Sequence, residues 1–116
     1  MTTHAIDDVV VLKPEGELWE GPESDELERE LDRLLSEGRP VVVDLAATRF
    51  LTARALGLLA DGARRAALHG GAIALCGAKG FERRLLTLTH LADALPVYAT
   101  GEDAARGMRL ARAKAS

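Results

Sequence analysis

Hydrophobic and polar positions along the chain follow two patterns in turn, which predict strands and helices. Short runs rich in Val, Ile and Leu are typical of strands, and apolar residues three and four positions apart predict amphipathic helices. The predicted strands are residues 9–12, 17–19, 41–45, 72–76 and 96–98. The predicted helices begin near Ser24, Thr52, Phe81 and Thr100. Strands that alternate with helices in this way predict an α/β fold with a mostly parallel sheet.

Two features arrange these elements into one sheet. Residues 41–45 are almost uninterruptedly apolar, which predicts a central strand buried on both faces. Pro14 and Gly16 separate the first two strands by a short turn, which predicts an antiparallel hairpin at the sheet edge. We therefore expect a single α/β domain over residues 1–116, with its core at about 6–108. Its four- to five-stranded, mostly parallel sheet would be covered by about four helices.

The sequences of the second and third predicted helices allow further predictions. Gly57 and Gly62 lie inside the second helix, where each costs roughly 1 kcal/mol relative to Ala. A helix that keeps both glycines is expected to pack closely, most simply on the sheet. In the third helix, the spacing of Phe81, Leu85 and Leu88 marks the apolar positions, and Phe81 is expected to have a packing role.

Composition and charge narrow the class of protein. The chain is 47% hydrophobic and 28% charged, which is typical of globular domains. Its net charge is −3, with −9 over residues 1–45 and +6 over residues 46–116. The C-terminal end, residues 106–116, is basic. Because the basic part has no interleaved aromatic residues, nucleic-acid binding is not expected. The apolar runs are too short to span a bilayer, and the N-terminus lacks a signal-peptide pattern. We expect a cytoplasmic protein without membrane insertion.

The sequence lacks the residue patterns of most enzymes. Cys76 is the single cysteine, so neither an internal disulfide nor a CxxC pair can form, and the three histidines have no zinc-ligand spacing. No GxSxG, Walker or GxGxxG motif occurs. Asp44 ends the central strand, where a phosphoacceptor aspartate can lie. Such a site also needs an acidic pair after the first strand, which this sequence lacks, so the expected role of Asp44 is structural. We expect no catalysis, no metal and no cofactor.

Two loops remain as candidate binding sites. Residues 77–80 follow a strand and open a helix, so a backbone anion site is an alternative to a plain connection. Residues 50–56 join the central strand to the second helix. There Thr52 is the candidate N-cap and Arg54 a candidate recognition residue.

Several segments, taken in order, resemble the STAS family, the domain of anti-sigma factor antagonists and sulfate-transporter tails. Residues 16–18 resemble the family's G-E-L-D motif, and residues 41–45 its central strand. Residues 50–59 bracket its F-L-D-S-S-G-L-G-x-L motif, and residues 70–75 and 81–98 resemble its later elements. The resemblance covers roughly residues 6–108 and implies the STAS fold.

The chain departs from the family pattern around the phosphoacceptor. Thr52 matches the motif's aspartate, Ala53 its phosphorylated Ser or Thr, Arg54 the next Ser and Ala55 the Gly. Trp19 stands where the family has the aspartate of G-E-L-D. Ala53 has no hydroxyl, so no phosphorylation is expected there. The hydroxyl of Thr52 lies one residue earlier, where the change of direction and its expected role as a helix cap make phosphorylation the less favoured alternative.

The resemblance implies a non-catalytic protein–protein interaction module in a bacterial signalling pathway that regulates transcription. Its partner would be an anti-sigma factor or a similar kinase. Binding would be constitutive or regulated by something other than phosphorylation of the chain. The expected partner-binding residues are Trp19, Glu20, Thr52, Ala53, Arg54, Ala55 and Leu58. One alternative is a scaffold or accessory subunit that packs with itself or other STAS domains, in a stressosome-type or lipid-transport complex. Another is a small-ligand or nucleotide-binding domain that uses the loop at residues 77–80 and the loop around Thr52.

Overall fold

The computed structural model describes residues 1–16, 22–48 and 52–115. Its strands are β1 (Thr2–Ile6), β2 (Val9–Lys13), β3 (Pro40–Asp44), β4 (Ala72–Cys76) and β5 (Val97–Tyr98). Its helices are α1 (Pro22–Ser36), α2 (Ala53–His69), α3 (Gly80–Leu88), α4 (Leu91–Ala94) and α5 (Gly101–Ala115). The strands form one sheet in the order β1-β2-β3-β4-β5, in which only the β1–β2 pair is antiparallel. The predicted α/β class and mostly parallel sheet are confirmed.

The two faces of the sheet are covered by different helices. Alternate residues of a strand point to opposite faces, so Val41 and Val43 of β3 join the core that contains the buried leucines of α1 and α2. Val42 points to the other face, where it packs with Ala104 and Met108 of α5. All three valines are fully buried, which confirms that β3 is the central strand.

The antiparallel hairpin exists, but its strands differ from the predicted pair. β2 pairs with β1, and the connecting turn contains Asp7, whose φ is +55°. The predicted return strand, residues 17–19, lies outside the described residues. Gly16 instead forms a parallel bridge with Thr48, in the segment that follows β3. β2 has β1 on one edge and β3 on the other, so both of its edges are already paired.

Helix α1 begins earlier than predicted. Pro22 is its first residue, which agrees with the preference of proline for the first turn. Ser24 is therefore inside the helix and not its N-cap. Its side chain is fully buried, and its hydroxyl has no hydrogen-bond partner among the residues that the structure describes.

The two glycines of α2 have different surroundings. A Cβ atom at Gly62 would lie 3.1 Å from Cδ1 of Ile73 in β4 and 3.5 Å from Cδ1 of Leu35 in α1, so close packing is confirmed there. A Cβ atom at Gly57 would meet no atom within 4 Å, and Gly57 is exposed. Close packing is therefore wrong as an explanation of Gly57.

Helix α3 forms where predicted, but its orientation is different. Its fully buried residues are Glu82 and Leu86, while Phe81 and Leu88 are 53% and 71% exposed. The expectation that Phe81 packs in the interior is wrong. Residues four positions apart share one side of a helix, so burying Glu82 with Leu86 turns Phe81 and Leu88 towards solvent.

Candidate functional site

The start of α2 is capped as the sequence predicts. Thr52 has the extended backbone of an N-cap residue (φ −90°, ψ 168°), and its Oγ1 accepts a hydrogen bond from the N–H of Ala55 at 3.2 Å. The hydroxyl is thus engaged within the helix. Ala53 follows as the first helical residue, and its side chain is exposed. The first turn contains no acidic residue, so this helix end keeps its positive partial charge.

Arg54 is exposed but ion-paired. Its Nη2 lies 2.8 Å from Oδ1 of Asp25 and 3.6 Å from Oε2 of Glu28, both on α1. The side chains of all three residues are about half exposed, at 46%, 54% and 50%. Exposed pairs of this kind contribute at most about 1 kcal/mol. A partner's carboxylate can therefore replace those of α1 at small cost.

The structure brings together only part of the expected partner-binding set. Thr52, Ala53, Arg54 and Leu58 are each at least partly exposed near the start of α2, and we call these four residues the α2 face. Ala55 is fully buried, so it belongs to the core and not to a contact surface. It occupies the inner side of the first helical turn. Trp19 and Glu20 lie outside the described residues.

A buried polar cluster at the start of α3 was not predicted from the sequence. The carboxylate of Glu82 is fully buried. Its Oε2 lies 2.8 Å from Oγ1 of Thr48, and its Oε1 accepts a hydrogen bond from the N–H of Lys79 at 2.9 Å. A glutamate at the third position of a helix is a known capping signal, so Glu82 could have been suspected from its spacing. Thr48 could not, because it is 34 positions away in the sequence.

The ammonium group of Lys79 holds the chain between β3 and the α2 face. It donates to the carbonyl oxygens of Leu45 at 3.3 Å, Ala46 at 3.1 Å and Thr48 at 2.6 Å. The first turn of α3 is meanwhile occupied by the chain's own Glu82 carboxylate. Both the backbone N–H and the ammonium group of Lys79 are thus engaged within the chain. They connect the start of α3 to the segment that follows β3.

Asp44 and Cys76 are neighbours at the ends of adjacent strands. Oδ1 of Asp44 accepts a hydrogen bond from the N–H of Ala46 at 2.9 Å, which is the structural role expected for this residue. Burial, together with the charge of Asp44 and a hydrogen bond to it, raises the pKa of the Cys76 thiol to about 12. A neutral, buried thiol is a poor nucleophile and a poor metal ligand.

Two further observations concern metals and membranes. The described side chains include no group of three or more His, Cys, Asp and Glu residues that could hold a metal ion. Among the described helices, none combines the length and apolar character needed to cross a bilayer.

Comparison with known proteins gives one family and several similar structures. The family model of the STAS domain matches residues 1–104. No curated protein matches the chain in sequence. The crystal structure of TM1081 from Thermotoga maritima, proposed to be an anti-sigma factor antagonist, is 25% identical with a TM-score of 0.78 and covers 93% of each chain.

Two more distant structures share the fold. The phosphorylated form of SpoIIAA, a Bacillus cell-fate determinant, is 16% identical with a TM-score of 0.72, over 92% of this chain and 97% of that one. The STAS domain of a SulP transporter from Vibrio cholerae is 16% identical with a TM-score of 0.71, over 97% and 89%. At this level of identity the likeness concerns the fold alone.

Proposed function

Since the chain belongs to the STAS domain family, we propose that it is a non-catalytic protein-binding module of the anti-sigma factor antagonist type. The likeness to TM1081 supports this type. The observation that carries the proposal is the α2 face, which is exposed and presents the guanidinium of Arg54 and the methyl group of Ala53 beside a threonine hydroxyl engaged in capping.

The proposed partner is a cytoplasmic protein with an acidic surface. The positive partial charge at the start of α2 and the guanidinium of Arg54 both favour carboxylates. Leu58 adds apolar contact area, since it is partly exposed beside the groove between α1 and α2. Trp19 and Glu20 are proposed to complete this surface, because tryptophan is a frequent anchor residue in protein interfaces.

We further propose that phosphorylation at this helix start does not release the partner. One solved form of SpoIIAA is phosphorylated, so the modification occurs on this fold. A phosphate adds about −2 charge and would repel an acidic partner. In this chain Ala53 has nothing to esterify, and Thr52 Oγ1 is held by the N–H of Ala55 at 3.2 Å. Abundance or another signal would then control binding.

The contact is tested by paired arginine substitutions on α2. Proteins crosslinked to the tagged chain in its native cells are identified, and each is purified for binding measurements. Arg54→Ala is expected to weaken binding at least 10-fold. Arg64→Ala is the matched control, because Arg64 is 72% exposed on the same helix and also ion-paired, but lies outside the α2 face. Equal affinities for the two variants would contradict the proposal.

The regulation is tested by mapping phosphate on the chain isolated from its native cells. Mass spectrometry of the peptide that contains Thr52 and Ala53 is expected to find no phosphate under conditions in which the partner is bound or released. A phosphorylated Thr52 whose abundance follows partner release would overturn this part of the proposal. It would leave the location of the binding face intact.

A further inference from the structure

Helix α3 presents an apolar stripe to solvent on a surface distinct from the α2 face. Phe81 and Leu88 are 53% and 71% exposed, and Leu85 is partly buried against the core. With Arg84 they line a shallow groove of about 230 Å³. We call these four residues, Phe81, Arg84, Leu85 and Leu88, the α3 stripe.

The orientation of the α3 stripe is fixed by the interior of the protein. Glu82 and Leu86 are fully buried on the opposite side of the helix. The contacts of Glu82 with Thr48 and with the N–H of Lys79 secure that side. The helix cannot rotate Phe81 and Leu88 inward without removing the Glu82 carboxylate from these partners. The stripe is therefore a stable outward feature of the fold.

The charge at the stripe is positive and uncompensated. Among the described residues, Arg83 and Arg84 have no carboxylate within 4.0 Å. All three arginines of α2, by contrast, have acidic partners: Arg54, Arg64 and Arg65. The arginines of α2 are thus matched within the molecule, whereas Arg83 and Arg84 remain available to the carboxylates of another molecule. An occupant of the stripe should bring carboxylates next to its apolar side chains.

We propose that the α3 stripe is a second docking surface, which binds an acidic amphipathic helix of a protein partner. Its apolar positions follow the i, i+4, i+7 spacing through which helices pack side by side. Its groove is smaller than the roughly 300–1,000 Å³ typical of small-molecule sites, so a partner's side chain fits it better than a free ligand. This surface goes beyond the proposed function and does not depend on it.

Two other occupants fit the observations less well. In a symmetric pair of α3 helices from two copies of the chain, the unpaired arginines would face one another and repel. A membrane-binding helix lays a broad apolar side into the lipid interface, whereas α3 has nine residues, with Glu82 and Leu86 held in the interior. A partner helix that brings its own carboxylates satisfies both the apolar and the charged side chains of the stripe.

The proposal is tested with a displayed library of random helical peptides selected for binding to the purified full chain. The enriched peptides are expected to carry apolar residues at i, i+4 and i+7 with adjoining Asp or Glu. Leu88→Ser and Arg84→Glu should each weaken their binding at least 10-fold. Leu68→Ser is the matched control, because Leu68 is 73% exposed on α2; it should change binding less than 2-fold. Replacing the peptide's acids by Arg should restore binding to Arg84→Glu.

Other results would overturn the proposal. The selected peptides could lack acidic residues, or they could bind the Leu88→Ser variant with the same affinity as the unchanged chain. Self-association in sedimentation that Leu88→Ser abolishes would identify a second copy as the occupant. Binding to phosphatidylglycerol vesicles that Leu88→Ser abolishes would identify the membrane. Arg54→Ala should leave peptide binding unchanged, so failure at the α2 face and failure at the α3 stripe are distinguishable.

Discussion

At the scale of single residues, the chemistry of the α2 face depends on two neighbouring side chains. Thr52 uses its hydroxyl as a hydrogen-bond acceptor for the N–H of Ala55, and Ala53 exposes a methyl group where the resemblance to the STAS motif places a phosphoacceptor. The side chain of Thr52 stabilises the helix start, and the side chain of Ala53 has no hydroxyl group. Under the proposed function, this surface therefore stays unchanged whatever kinases are active.

The cap itself can be measured. Thr52→Ala leaves the N–H of Ala55 without its acceptor and should lower the free energy of unfolding by about 1 kcal/mol. Thr52→Ser retains a hydroxyl and should stay within about 0.5 kcal/mol of the unchanged chain. Urea unfolding followed by circular dichroism measures both variants. A similar loss for Ser and Ala would mean that the methyl group of Thr52, and not its hydroxyl, matters.

Glu82 should be among the side chains most sensitive to substitution. Glu82→Ala removes the acceptor of the Lys79 N–H and opens a cavity beside Thr48, which should cost about 2–4 kcal/mol in unfolding free energy. Glu102→Ala, at an exposed position in the first turn of α5, should cost less than about 1 kcal/mol. Chemical denaturation compares the two. Equal losses would show that the buried cluster contributes no special stability.

The raised pKa of the Cys76 thiol predicts how the free energy of unfolding changes in alkaline solution. Its pKa is raised to about 12 in the folded state, mainly by burial, against about 8.5 for an unfolded thiol. Above about pH 8.5 the unfolded state therefore binds fewer protons than the folded state, and the contribution of Cys76 falls by up to about 1.4 kcal/mol per pH unit. Cys76→Ala should show a shallower loss of unfolding free energy between about pH 9 and 11. Parallel pH profiles for the two proteins would contradict this explanation.

At the scale of elements, hydrophobic patterning predicted the positions of helices and strands better than their orientation. The all-apolar run of β3 identified the central strand directly. The apolar spacing of α3 identified a helix, yet the buried side of that helix is set by Glu82, whose partner Thr48 is distant in sequence. The partner strand of β2 was misassigned because β1, Thr2–Ile6, has few strongly apolar residues and four of its five side chains are exposed. Local sequence patterns do not show which residues distant in the sequence will be in contact.

The two glycines of α2 offer a matched pair at this scale. Gly57→Ala adds a methyl group in open space and should gain roughly 0.5–1 kcal/mol of unfolding free energy from helix propensity. Gly62→Ala gains the same propensity but places its Cβ 3.1 Å from Cδ1 of Ile73, so its net gain should be smaller or negative. Thermal and urea unfolding of both variants test the difference. Equal gains would show that the α2–β4 contact is looser than the structure indicates.

At the scale of the whole molecule, ion pairs within the chain join the acidic first part of the sequence to its basic second part. Arg54 and Arg65 of α2 pair with Asp25 and Asp32 of α1. The acidic and basic parts of the sequence therefore meet within one chain, and their attraction does not require a second subunit. Arg83 and Arg84 of α3 differ from this pattern, since they lack acidic partners among the described residues.

The candidate site was predictable only in part for the same reason. The resemblance to the STAS motif drew attention to the start of α2, and the structure adds the ion pair of Arg54 and the burial of Ala55. Neither follows from the spacing of residues along the chain. Asp25 is 29 positions from Arg54, and only the packing of α1 on α2 brings them together.

The central claim is that the protein partner binds the start of α2. Amide hydrogen exchange, followed by mass spectrometry on the free chain and on its complex with the captured partner, tests this claim most directly. We predict that exchange slows on binding in peptides that cover residues 52–58. Slower exchange elsewhere, with unchanged exchange at residues 52–58, would contradict it.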